Sequence, residues 1–149
     1  MAAEIERKFL VRGEFRHLAI KKIRIIQTYL SIDPDKTIRI RTAGRKAFIT
    51  IKNRPKGTSF TRDEWEFQIP IADAREIMKI SLPGKIDKTR YLVPAGKHIF
   101  EVDEFHDKNE GLVIAEIELA SESEKFDRPG WLGEEVTGRP EYYNANLIK

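Results

Sequence analysis

The chain contains no cysteine, which excludes a disulfide scaffold, a thiolate zinc site and a cysteine nucleophile together. No apolar run reaches the roughly 18 residues that a membrane-spanning helix needs. The stretch from Met1 to Lys8 is already charged and has no apolar segment of the kind a signal peptide carries. The expectation is therefore a cytoplasmic protein without a membrane partner. Net charge is also scarce: 27 Lys+Arg against 24 Asp+Glu leave +3, too little to announce a nucleic-acid binder. No glycine-rich strand-to-helix loop is present, and Gly133 and Gly138 read as turn glycines. His17, His98 and His106 share no ligand spacing. No repeat, low-complexity tract or linker divides the 149 residues, so residues 1–149 are expected to form a single domain.

What the chain does have is charge in quantity, 34% of residues beside 40% hydrophobic ones, arranged with period two. Alternation argues for strands, expected at Ala3–Val11, Ile23–Ile32, Thr37–Thr42, Lys46–Asn53, Phe60–Ile69, Lys85–Val93, His98–His106 and Leu112–Ser121. Turn residues separate them, among them Asp33-Pro34-Asp35, Pro55-Lys56-Gly57 and Pro94-Ala95-Gly96. Ile71–Leu82 reads as a helix, with Ala74, Ile77 and Met78 on one face and Pro83-Gly84 as its stop. Ser123–Lys149 reads as a mixed tail with short helical pieces. The class is α+β, mainly β. Eight strands joined mostly by short turns suggest an antiparallel meander, which closure into a barrel would rid of exposed edges.

Each strand has one apolar and one ionic face. Ile5, Phe9 and Val11 oppose Glu4, Glu6 and Lys8; Ile38 and Ile40 oppose Arg39 and Arg41. Ala47, Ile49 and Ile51 oppose Phe48, Thr50 and Lys52, and Trp65, Phe67 and Ile69 oppose Arg62, Glu64 and Glu66. Tyr91 and Val93 oppose Lys88 and Arg90; Phe100, Val102 and Glu104 oppose Glu101 and Asp103; Ile117 and Leu119 oppose Glu116 and Glu118. For any one strand this could be an ordinary wet face of an antiparallel sheet. As a set the charges recur in pairs and sort by sign. Cations dominate the third, fourth and sixth strands, and carboxylates the seventh and eighth. Like charges stacked on one face repel, so something else should balance them. Phosphoryl oxygens suit Arg and Lys, and hard divalent cations suit carboxylates. A metal–polyphosphate complex in one cavity answers both needs. Because burying such charges dry is prohibitive, the ionic faces should line a wet, open-ended bore. The apolar faces would then point outward, beneath the Ile71–Leu82 helix and a tail that includes Phe126, Trp131 and Leu132.

The pattern Glu4-Ile5-Glu6-Arg7-Lys8 resembles the N-terminal ExExK signature of the CYTH family, the triphosphate tunnel metalloenzymes. Ile38-Arg39-Ile40-Arg41, Thr50-Ile51-Lys52, Arg62-Asp63-Glu64-Trp65-Glu66, Lys88-Thr89-Arg90-Tyr91, Glu101-Val102-Asp103 and Ala115-Glu116-Ile117-Glu118-Leu119 follow in the family's order. Trp131-Leu132-Gly133-Glu134-Glu135-Val136-Thr137 resembles its closing segment. The resemblance spans almost the whole chain and is to the short bacterial type. It implies an eight-stranded antiparallel closed barrel, a charged tunnel inside it and a few helices outside. It further implies that Lys8, Arg39, Arg41, Lys52, Lys88 and Arg90 hold a triphosphate, as catalytic and substrate-binding residues. Glu4, Glu6, Asp103, Glu116 and Glu118 would coordinate one or two Mg²⁺ or Mn²⁺ ions, with Glu101 supporting them. Arg62 would join the substrate-binding set, and Glu64 and Glu66 would line the tunnel beside it. Tyr29, on the ionic parity, would either reach the substrate or pack in the wall.

The activity implied is metal-dependent hydrolysis of a triphosphate, with inorganic tripolyphosphate as substrate and possible assembly as a homodimer. Class IV adenylate cyclase and thiamine triphosphatase use the same cradle and remain alternatives. A non-catalytic polyphosphate-binding module is a third, less favoured because the acidic set is intact. Nucleic-acid binding fits worse, since the aromatics lie mostly on the apolar parity.

Overall fold

The computed structural model describes residues 2–55 and 61–148, with side chains from Ile5 onward. The Glu4 side chain and Phe60, both part of the expectations above, lie outside the described residues. Alternation yields strands where it is strongest: β1 (Ala2–Val11), β2 (Lys21–Asp33), β3 (Lys36–Ala43), β4 (Lys46–Asn53) and β5 (Thr61–Ile69). After the helix α1 (Ile71–Lys79) come β6 (Ile86–Ala95), β7 (His98–Phe105) and β8 (Val113–Leu119). The tail adds β9 (Leu132–Glu135) and a short helix α2 (Asn144–Leu147). Among the described residues no helix is long and apolar enough to cross a membrane.

The strands follow the order β5-β4-β3-β2-β6-β7-β8-β1, and β1 pairs with β5 to close the barrel. That closing seam is short, running Ala2↔Glu64 to Ile5↔Thr61. Every pairing is antiparallel. The expected single meander is corrected to two hairpin runs, β2–β5 and β6–β8, joined where β2 meets β6 and where β1 meets β8. The two links that break the meander, residues 12–20 and 70–85, are longer than hairpin turns and can cross an end of the barrel.

Beyond the seam with β5, the same edge of β1 is taken by β9, which pairs at Phe9↔Glu135 and Val11↔Leu132. Arg7 clamps Glu135 through two hydrogen bonds of 2.8 and 2.6 Å, and Thr137 Oγ1 donates to Glu135 at 2.7 Å. Gly133 therefore lies inside a strand and not, as expected, in a turn. A Cβ there would come 2.8 Å from the Leu10 carbonyl oxygen. Gly138, at φ 78°, is the turn glycine it was expected to be.

Most apolar faces point outward and are covered, although Phe67 on β5 stays 57% exposed. Phe9, Phe100, Val102, Ala115 and Ile117 pack with Trp131 and Leu132 of the tail, and Phe126 closes over them. The α1 helix lays Ala74, Ile77 and Met78 on Ile40, Ala47 and Ile49. Fully burying one such aliphatic or aromatic side chain contributes about 1.5–3 kcal/mol. One end of the bore departs from the open channel expected. There the bore-facing Tyr29, Ile86, Phe105 and Ile114 pack against Ala145 and Ile148 from the C-terminal segment. Ile86, Phe105 and Ile114 are apolar where Lys88, Asp103 and Glu116 follow or precede them on the same parity, so this end can be sealed without burying ions.

Candidate active site

Lys8 and Glu116 face each other across the β1–β8 ladder, as do Glu6 and Glu118. Glu101 lies opposite Glu116 on β7, and Arg39 opposite Thr50 on β4. Period two points these side chains inward, and the ladders bring them into two adjoining cavities of the bore. The first, about 250 Å³, is bounded by Glu6, Lys8, Tyr29, Arg39, Lys52, Arg54 and Arg62, with Tyr143 and Asn144 from the C-terminal segment. The second, about 210 Å³, is bounded by Glu6, Arg39, Arg41, Lys52, Glu64, Glu66, Arg90, Glu101, Glu116 and Glu118. Glu6, Arg39, Lys52 and Asn144 border both, so the two are halves of one space. The first half is rich in cations and the second in carboxylates.

Opposite charges meet across the space without cancelling. Lys8 Nζ lies 3.9 Å from Glu116, and Lys52 Nζ 4.0 Å from Glu6. Arg41 reaches Glu66 at 3.4 Å, and Thr50 donates to the same carboxylate at 2.9 Å. Burial, together with the neighbouring Arg39 and Arg90, lowers the Arg41 pKa to about 10. Burial and the nearby Glu6 raise the Glu116 carboxyl, and burial with Glu6 and Glu101 raises Glu118. A carboxylate cluster with raised pKa values is one that a divalent cation would relieve. The donor set suits such an ion by kind, although among the described residues no three carboxylates are drawn together tightly enough to form a ready-made metal cage.

Two expected site residues stand apart from this space. Lys88 and Asp103 are each 1% exposed and border neither cavity. Asp103 accepts from Arg90 at 2.8 and 3.0 Å and pairs with Lys88 at 2.8 Å, so both its oxygens are committed to cations. Burial alone would raise the Asp103 carboxyl, but Arg90 and Lys88 outweigh it and hold the pKa well below the usual range. Lys88 also donates to Asn144 Oδ1 at 3.1 Å, and burial lowers its pKa to about 8. Arg90, by contrast, borders the carboxylate-rich half while anchored to Asp103, and also reaches Glu101 at 3.3 Å. Tyr29, 3% exposed, borders the cation-rich half and accepts a hydrogen bond from Gln27 at 2.9 Å. The remaining expected residues with described side chains all border one half or both.

Sequence reasoning passed over Arg54, Tyr143 and Asn144. Arg54 lies one residue past the end of β4 and continues the inward parity of Thr50 and Lys52, which a strand ending at Asn53 does not reveal. Tyr143 and Asn144 carry no sequence signal; the fold of the tail brings them in. Lys8 Nζ donates to the Tyr142 carbonyl at 3.0 Å, which pins this segment across the bore.

The CYTH domain model matches residues 2–148 of the chain. The chain is 43% identical to an inorganic triphosphatase of Acetivibrio thermocellus over 150 residues, covering 100% of this chain and 95% of that protein. It is 34% identical to an inorganic triphosphatase of Nitrosomonas europaea, covering 97% and 95%. Among solved structures, that of an inorganic triphosphatase superposes with a TM-score of 0.66 at 31% identity, covering 99% of this chain and 95% of that one.

Proposed function

The chain belongs to the CYTH domain family, and from that premise we propose that it hydrolyses a terminal phosphoanhydride bond of inorganic tripolyphosphate with a divalent cation. The observation that carries this reading is the division of one bore into a cation-rich half and a carboxylate-rich half that share Glu6, Arg39 and Lys52. An extended polyanion would lie in the first half and present its reacting end to the second. The inorganic triphosphatase relatives support the choice of substrate.

In this mechanism Lys8, Arg39, Lys52 and Arg62 bind the chain of phosphoryl groups. Arg41 and Arg90 flank the reacting phosphorus and stabilise the charge that spreads over its equatorial oxygens. Arg90 is held in position by Asp103, and Asp103 in turn by Lys88, so those two act through Arg90. Glu6, Glu116 and Glu118, with Glu4 and Glu101, would hold one or two Mg²⁺ or Mn²⁺ ions. Such an ion would neutralise phosphoryl oxygens and favour in-line attack by water. Glu118 borders the same space as Arg41 and Arg90, so its carboxylate can orient the attacking water beside the ion. Tyr29 forms part of the wall against which the substrate lies. The enzyme is placed in the cytoplasm, acting on a small molecule without a nucleic-acid or membrane partner. Sedimentation of the purified protein reads whether it forms a homodimer.

A phosphate-release panel tests the proposal. Tripolyphosphate, ATP and thiamine triphosphate are each supplied with Mg²⁺ or Mn²⁺, with cyclic AMP monitored in parallel. Tripolyphosphate should give the highest kcat/KM. Cyclic AMP formed faster than phosphate would make the protein a cyclase, and tight binding without turnover would make it a binding module.

A further inference from the structure

Arg54 has no part in the reading above, yet its surroundings call for an anion. It follows β4 directly, and its amide N–H donates to the Asp35 carbonyl at 2.9 Å, which fixes the backbone beside the β2–β3 turn. Its side chain borders the cation-rich half of the bore. There one terminal nitrogen donates to the Tyr143 hydroxyl at 3.3 Å. The same Tyr143 ring has Arg54 at 5.9 Å, Arg62 at 5.4 Å and Lys8 at 5.6 Å from its centroid. One ring therefore gathers three cations, an arrangement that weak cation–π attraction can preserve but cannot neutralise.

Two further observations point to a missing acceptor. The Nε atoms of Arg54 and Arg39 are buried without a hydrogen-bond partner among the described residues, and both side chains border this half. A buried donor left unmade costs about 1–3 kcal/mol, more when it is charged. In addition, Lys8, Arg39, Lys52, Arg54 and Arg62 meet Glu6 as the lone carboxylate among the described residues of this wall. An oxyanion accepts from guanidinium forks and offsets the excess charge at once.

We propose that Arg54, held beside Tyr143, binds the end phosphoryl group of a linear triphosphate that lies remote from the carboxylate cluster. It thereby favours chains of three phosphoryl groups over two. This rests on the triphosphatase reading and adds a residue and a direction to it. The reacting end sits among the carboxylates and the far end against Arg54, so a diphosphate engaged at the carboxylates does not reach it.

The test compares wild type with Arg54→Met and Arg54→Lys. It measures kcat and KM for tripolyphosphate and the competitive inhibition constant of inorganic diphosphate, all with Mg²⁺. In Arg54→Met, KM should rise about tenfold to a hundredfold, the cost of a lost charge-assisted hydrogen bond. Turnover should stay within about threefold of wild type, because a contact equal in ground and transition states leaves kcat alone. Diphosphate inhibition should be unchanged, and Arg54→Lys should fall between the other two. An unchanged KM, a fall in kcat alone, or diphosphate inhibition weakened by the same factor would each overturn the assignment. If the wild type fails to cleave tripolyphosphate, the triphosphatase reading fails by itself. Calorimetric titration of tripolyphosphate into wild type and Arg54→Lys in EDTA then decides the subsite: weaker binding by the variant supports it, and equal binding removes it.

Discussion

Neutralising Asp103 should destabilise the fold far more than it weakens metal binding. The carboxylate is 1% exposed, accepts from Arg90 at 2.8 and 3.0 Å and pairs with Lys88 at 2.8 Å. Asp103→Asn leaves two buried cations facing a neutral amide. Removing one partner of a buried ion pair costs about 3–5 kcal/mol, out of a total of about 5–15 kcal/mol for a typical domain. The expected result is a urea midpoint that falls sharply at unchanged slope. Mg²⁺ affinity, read from the metal-dependent rise in melting temperature, should change by less than about tenfold, or about 1.4 kcal/mol. Adding Lys88→Met should recover part of the loss, since it removes one stranded cation. The pH dependence carries a second signature. A carboxyl whose folded pKa lies below its unfolded value contributes stability above the unfolded pKa and loses it as acid titrates through the folded one. Burial opposes this shift at Asp103, but Arg90 and Lys88 outweigh it, so Asp103→Asn should flatten the acid limb of the stability curve. A variant as stable as wild type that lost only its metal affinity would make Asp103 a ligand and refute the ion-pair account.

Lys52→Ala or Glu118→Ala should lower tripolyphosphate turnover by about 100-fold or more, the scale of removing one electrostatic stabiliser, while circular dichroism and melting temperature stay near wild type; near-wild-type turnover in either would remove it from the reacting centre. Because the Glu116 and Glu118 pKa values are raised, protons should displace Mg²⁺ at a pH above the ordinary carboxylate range. Titrations from the ordinary carboxylate range upward should show affinity falling as pH falls, less steeply in Glu116→Gln. The same shifts mean that the metal-free fold loses stability as pH rises through those folded pKa values, which metal-free melting curves over the same range would reveal. Gly133→Ala would put a Cβ 2.8 Å from the Leu10 carbonyl and should cost about 1–3 kcal/mol by overpacking; a neutral result in urea unfolding would mean that β9 is free to shift.

Much of the barrel was legible because its strands alternate strictly. β4 begins and ends where expected, at Lys46 and Asn53, and α1 starts at Ile71. β9 was not legible: Leu132-Gly133-Glu134-Glu135 has no apolar rhythm, and its extended form comes from pairing with β1 and from the Arg7–Glu135 clamp. Strand order was also hidden, since the long links on either side of β1 and β6 are equally compatible with a meander. At the site, parity placed Lys8, Arg39, Lys52 and Glu118 on the inner face correctly. The same parity carries Ile86, Phe105 and Ile114, which seal one end, and it does not distinguish Lys88, locked beneath the cavity, from Arg90, which borders it.

The sequence by itself determined which side of the wall each strand residue faces and what chemistry the interior presents, because a period of two is a local property of an extended backbone. How far along the bore each charge lies was decided only by tertiary structure. Barrel closure, the stagger between strands and the return of the tail set that depth, and they depend on partners distant in sequence. That is how Asp103 came to bind two cations in a dry recess while Glu118, on the same inward parity, was left facing the open space.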